Sequence, residues 1–76
     1  GTVVDPKVIF KRALDMHASS IILSHNHPSG NLKPSQADVA ITKKLVSAGE
    51  MIEIKVLDHI IISNSGYFSF LDEGML

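Results

Sequence analysis

The unbroken aliphatic run Ile21-Ile22-Leu23 leads directly into Ser24-His25-Asn26-His27-Pro28-Ser29-Gly30, and no other stretch limits the possible folds so tightly. An apolar run without alternation suits a strand covered on both faces, as at the centre of an α/β sheet. Ser20 to Ser24 therefore reads as a strand, and Pro28-Ser29-Gly30-Asn31 as the loop that ends it. Such a strand presents His25 and His27 at its C-terminal end, where open α/β sheets bind ligands. Strand residues i and i+2 share a face, so the two imidazoles can converge on one ion. Asp38 follows eleven residues after His27, just inside the next helical pattern. A carboxylate there can supply a third ligand and leave one tetrahedral position for water, the layout of a catalytic rather than a closed structural zinc site.

The flanking segments complete a βαβ pattern. Asp5 caps and Pro6 opens a first helix. Ile9, Phe10, Ala13, Leu14 and His17 mark its apolar face, with His17 packed, and the helix is expected to reach about Ala18. Ser35 caps a second helix, about Ser35 to Ala48, which Gly49 stops. Its apolar stripe is Ala37, Ala40, Ile41, Leu45 and Ala48, with Lys43 and Lys44 in water. Ile52 to Leu57 alternates with Glu53 and Lys55, as a strand with one exposed face does. It is expected to pair in parallel with the first strand through a right-handed crossover. Asp58-His59 then leads into Ile60-Ile61-Ile62, a further buried strand. Asn64-Ser65-Gly66 turns the chain into a last strand, Tyr67 to Phe70, closing a hairpin. Leu71 to Leu76 carries no clear pattern. The fold class is α/β, a small mixed sheet flanked by helices.

Seventy-six residues make one small domain with a thin core. The 45% hydrophobic content argues for a globular piece. With no cysteine, a metal must be held by His, Asp or Glu. No apolar run approaches the ~18 residues of a membrane span, and the N-terminus has no signal-peptide pattern, so a cytoplasmic location is expected. A net charge of −1 with scattered lysines gives no electrostatic footprint for nucleic acid. The chain lacks an initiator Met and is expected to be a piece of something longer.

Each site residue has a plainer reading. Paired histidines after a strand can face solvent or bond loop backbone. Ser35-x-x-Asp38 resembles a capping box, in which Asp38 reaches back to the cap N–H and needs neither histidine. Asp38 can also simply favour the helix N-terminus electrostatically. Asp58-His59 is either a polar kink between two strands, with Asp58 accepting backbone bonds, or a partner that orients a ligand histidine. The kink is the preferred reading of the two.

The combination is more specific. His25-x-His27-Pro28, then Ser35 and Asp38, resembles the motif of the JAB/MPN (JAMM) metalloprotease-like domains. Ser24 to Gly30, Pro34 to Asp38, Thr42 and Asp58 to Ile62 together resemble the bacterial RadC family. So do Gly1-Thr2, the helix Pro6 to Ala18 and Tyr67 to Ser69. The resemblance implies a JAB/MPN, cytidine-deaminase-like fold, with residues 1–76 forming a single partial domain whose N-terminal strands are missing. It implies Zn(2+) on His25, His27 and Asp38, with a water in the fourth position. It makes Ser35 a catalytic residue that stabilises an oxyanion, and a glutamate upstream of His25 the general base. No glutamate precedes His25; Glu50, Glu53 and Glu73 all follow it.

The function implied is zinc-dependent hydrolysis of an amide or isopeptide bond in an unknown peptide or amide substrate. The family is associated by name with DNA repair, through the name and not through these residues, and nucleic acid is a partner for a full-length protein only. A nuclease reading of His25-Asn26-His27 as an HNH motif fails because that motif disperses its residues over a hairpin. A binding module that keeps the fold without catalysis is the remaining alternative. Exposed sheet edges in a partial domain invite self-association.

Overall fold

A computed structural model describes residues 5–76, so Gly1-Thr2 lies outside the described residues. Helix α1 spans Pro6–Asp15, strand β1 Ser20–Asn26, helix α2 Gln36–Met51, strand β2 Lys55–Ser63 and strand β3 Gly66–Ser69. The sheet order is β1-β2-β3. β1 and β2 run parallel across the α2 crossover, and β2 and β3 form an antiparallel hairpin. This is the expected α/β fold with a mixed sheet, consistent with a JAB/MPN domain.

The sequence marks both helix starts. The Asp5 carboxylate accepts from the Lys7 N–H at 2.9 Å, and Pro6 occupies the first turn where its missing N–H costs nothing. Both helix ends differ from expectation, and for one reason. His17 (φ 53) and Glu53 (φ 59) take the left-handed conformation that usually falls to glycine. In each case the next N–H reaches back five residues, Ala18 to Ala13 at 2.9 Å and Ile54 to Gly49 at 2.8 Å. The residue after the turn drops into the core: Ile54 is buried and Ala18 packs against the same cluster. α1 therefore stops three residues short of Ala18, and His17 is exposed rather than packed. Gly49 does not stop α2. It lies inside the helix, where a Cβ would press into the Ile54 carbonyl oxygen. The chain then turns through Ile52 and Glu53, so the second strand begins at Lys55, not Ile52.

Both helices pack on one face of the sheet. Phe10, Ala13, Leu45, Ile54 and Val56 form the core, with Ile21, Leu23 and Ile41 against it. Complete burial of a side chain such as Leu45 contributes about 1.5–3 kcal/mol. The stripe of α2 is shifted from the expected one: Thr42, Leu45 and Gly49 are buried, and Ala37 and Ala40 are exposed. β1 is not covered on both faces. Ile21 and Leu23 point to the helices, and Ile22 is 60% exposed on the far face, which also exposes Ile62 and Tyr67 further along the sheet.

The expected break between two strands at Asp58-His59 is a bulge within one continuous strand. Ile21 pairs with Val56 and Ile22 with Asp58, leaving Leu57 as an extra residue. The insertion keeps Val56, His59 and Ile61 on the helix-covered face, although Val56 and His59 are three residues apart.

Candidate metal centre

β1 extends two residues beyond Ser24, so His25 lies within it. The His27 N–H continues the ladder to the Ile62 carbonyl at 2.9 Å. The period of two is thereby kept through His27, and both imidazoles emerge on the α2 side. Asp38 comes from the first turn of that helix. His25 Nε2 lies 2.8 Å from His27 Nε2, and these nitrogens lie 3.5 and 3.4 Å from Asp38 Oδ1 and Oδ2. One ligand atom from each residue falls within 4.8 Å of the others, so the three predicted ligands do converge.

The capping box is present and leaves the Asp38 carboxylate in position beside both histidines. Ser35 Oγ accepts from the Asp38 N–H at 3.0 Å, and the Ser35 N–H donates to Asp38 Oδ2 at 2.8 Å. That bond holds the carboxylate in one rotamer while both oxygens face the histidines. Ser35 itself is exposed and borders a cleft of about 490 Å³ that His27, Pro28, Lys33 and Pro34 also line.

His27 Nδ1 sits 2.7 Å from the Asn31 carbonyl oxygen. A carbonyl can only accept, so neutral His27 carries its proton on Nδ1 and keeps Nε2 free. On the inner side, His25 Nδ1 faces His59 Nε2 at 2.8 Å, and His59 Nδ1 faces Thr42 Oγ1 at 2.6 Å. His59 is 3% exposed and stacks on Phe70, with ring centroids 4.8 Å apart. Asp58 lies within a strand rather than between two, but its carboxylate does accept backbone bonds as expected, from the His59 and Leu71 N–H groups, and one from the Ser69 hydroxyl. His59 is buried and contacts a predicted ligand, so the kink does not account for it. The missed signal lay in position: with a bulge at Leu57, His59 faces inward.

Electrostatics favour a cation. Burial lowers the His25 pKa below its ordinary value, against the pull of Asp38. Burial, then the neighbouring His25, lowers that of His59. Burial pushes the Asp38 carboxyl up, but the bonds from Ser35 and the two histidines outweigh it and leave the group below its ordinary value. The shifts thus favour neutral imidazoles at His25 and His59 and an ionised carboxylate at Asp38. Zinc–nitrogen and zinc–oxygen bonds of about 2.0–2.2 Å put tetrahedral ligand atoms about 3.3–3.5 Å apart. The two distances to Asp38 match, and the histidine nitrogens stand closer than that. The donor set, two imidazoles and a carboxylate, fits zinc chemically.

A family model described as the RadC-like JAB domain matches residues 1–75. The chain belongs to that family. Among its relatives, a UPF0758 protein of Flavobacterium johnsoniae is 55% identical over 75 residues, 99% of this chain and 33% of that protein. A UPF0758 protein of Pelobacter propionicus is 48% identical over 75 residues, again 99% and 33%. One from Thermosynechococcus vestitus is 52% identical over 68 residues, 90% of this chain and 27% of its own length. This RadC-like JAB domain thus spans about a third of the curated relatives it matches. Among its described residues, no helix is long and apolar enough to cross a membrane.

Proposed function

We propose that this domain is the metal-holding part of a zinc-dependent hydrolase that cleaves an amide or isopeptide bond. The observation that carries the reading is the convergence of His25 Nε2, His27 Nε2 and the Asp38 carboxylate, with the Asn31 carbonyl leaving His27 Nε2 unprotonated. Bound zinc would supply a Lewis acid and lower the pKa of water to about 7.

The remaining work falls to the chain. Asp38, His25 and His27 hold the ion and bring the only full negative charge among the three. Ser35 uses its oxygen lone pair on the Asp38 N–H, which leaves the hydroxyl proton free to point into the cleft. A donor there can stabilise the negative charge that develops on a substrate carbonyl oxygen. Proton transfer to the leaving amine needs a carboxylate base. The first glutamate in the sequence, Glu50, is exposed in the last turn of α2, and Glu53 and Glu73 are exposed as well. The base is therefore assigned to a glutamate outside these residues, in a longer chain.

Elemental analysis of the purified domain, beside His27→Ala, is the first test. About one zinc per chain, absent from the variant, is expected; no zinc after added metal sinks the reading. Hydrolysis is then assayed in a chain of the relatives' length. Persistent inertness with zinc bound would instead favour a binding module that retains the fold.

A further inference from the structure

Five short contacts run in series through the metal centre. They are the Asp38 carbonyl oxygen to Thr42 Oγ1 (2.7 Å), Thr42 Oγ1 to His59 Nδ1 (2.6 Å), and His59 Nε2 to His25 Nδ1 (2.8 Å). The series continues from His25 Nε2 to His27 Nε2 (2.8 Å) and from His27 Nδ1 to the Asn31 carbonyl oxygen (2.7 Å). Both ends are carbonyls, which only accept. The four groups between them are one hydroxyl and three imidazoles, and in the neutral state that metal ligation requires each brings one proton. Four protons cannot fill five contacts, so one contact has none. Protons on one side of that gap all point towards Asp38, and those on the other side all point towards Asn31. The position of the gap therefore sets the tautomer of every imidazole in the series.

Burial decides where the gap falls. Thr42 is 1% exposed and His59 3%, so two lone pairs facing each other there would have no water to relieve them. The side chains of His25 and His27 are 17% and 21% exposed, within reach of solvent. A gap at the other extreme would also leave the Asp38 carbonyl and the Thr42 oxygen 2.7 Å apart with no hydrogen between them.

We propose that Thr42 and His59 are positioning residues that place the proton gap between His25 and His27, holding His25 in the tautomer whose Nε2 can ligate a cation. The inference rests on the metal-centre reading above and adds two residues that touch no ligand atom of the ion. The Thr42 hydroxyl donates to the Asp38 carbonyl, which commits its lone pair to the His59 Nδ1–H. That leaves His59 Nε2 to accept the Nδ1 proton of His25. The Asp38 residue thus sits at both ends of the device, through its carbonyl at the start and its carboxylate at the gap.

Three chains test it, the unmodified domain, Thr42→Val and Thr42→Ser, each metal-free at about pH 8, above the ordinary imidazole value of about 6.5. Valine keeps the volume and removes the hydroxyl; serine keeps the hydroxyl and removes a methyl. Long-range nitrogen–proton NMR spectra report the tautomers directly. Nδ1 protons on His25 and His59 are expected in the unmodified chain and in Thr42→Ser, with Nε2 protonation appearing in Thr42→Val. Zinc affinity, measured by chelator competition, is expected to drop about 10–100-fold in Thr42→Val and to be restored in Thr42→Ser. Nε2 protonation of His59 in the unmodified chain would overturn the proposal. So would a valine variant that binds zinc as tightly as the parent, or a serine variant weaker than the valine one, which would mark Thr42 as packing alone. Correct tautomers in a chain that takes up no zinc would overturn the metal reading and leave the proton series standing.

Discussion

His25 and His59 meet ring nitrogen to ring nitrogen at 2.8 Å across 34 residues of sequence, one with its side chain 17% exposed and the other buried against Thr42 of α2. The inner imidazole can reach its partner because β1 and β2 are adjacent and parallel, with Leu23 paired to His59 and His25 to Ile61. Removal of the inner ring leaves the outer one unsupported. His59→Ala is expected to weaken zinc binding and also to lower stability by about 1–3 kcal/mol, since the Thr42 hydroxyl loses a buried partner and Phe70 loses its stacked ring. Calorimetry with and without zinc separates the two effects.

Asp38 is where charge and helix capping can be pulled apart. Asp38→Asn keeps an oxygen for the Ser35 N–H but loses the negative charge. The variant is expected to retain its helix content by circular dichroism and to lose more than about 100-fold in zinc affinity, beyond the range of a supporting residue. Asp38→Ala is expected to lose both. An Asn variant that binds zinc normally would make the carboxylate only a cap.

Acid is expected to act twice in the same direction. The pKa of His25 and of His59 lies below the unfolded value of about 6.5, so the unfolded chain binds more protons as the pH drops through that value. Their contribution to stability is complete above about pH 6.5 and is lost as pH falls towards their folded values. Asp38 and Asp58 are likewise lowered, so a second loss begins below about pH 4. Zinc affinity is expected to fall below roughly pH 6, because protons compete for the imidazoles. Denaturant midpoints that stay flat from pH 7 to 5 would contradict the histidine part.

Two backbone positions predict opposite responses to small substitutions. Gly49→Ala adds helix propensity of about 1 kcal/mol. It also drives a methyl into the Ile54 carbonyl, and overpacking of this kind costs about 1–3 kcal/mol. The second effect is backbone against backbone and is expected to win, giving a net loss of stability. Glu53→Gly relieves a left-handed residue and is expected to gain about 1 kcal/mol. Urea midpoints of the two variants check both signs.

Much of the site was legible because its geometry is local. His25-x-His27 needs only the strand period, and Asp38 needs only the start of α2. The βαβ order followed from aliphatic runs and from the helical spacing between them. Three things were not legible, each for a physical reason. Helix ends at His17 and Glu53 lacked the glycine that normally announces such a turn. The exposure of Ile22 depends on both helices choosing one face, which is a tertiary outcome. The role of His59 depended on an extra residue in the strand, and an unbroken alternation would have turned it to the bare face.

The bulge at Leu57 makes the centre sensitive to length in one direction only. Loss of Leu57 would restore plain alternation with His59 still inward, since Asp58 would then follow Val56 directly. Gain of one more residue there would require a second irregularity or, with plain alternation, would leave His59 inward but carry it two residues further along β1, out of its place opposite Leu23. Shortening and lengthening this strand by the same amount are thus unequal changes. The identity of Leu57 matters less than the fact that it is counted.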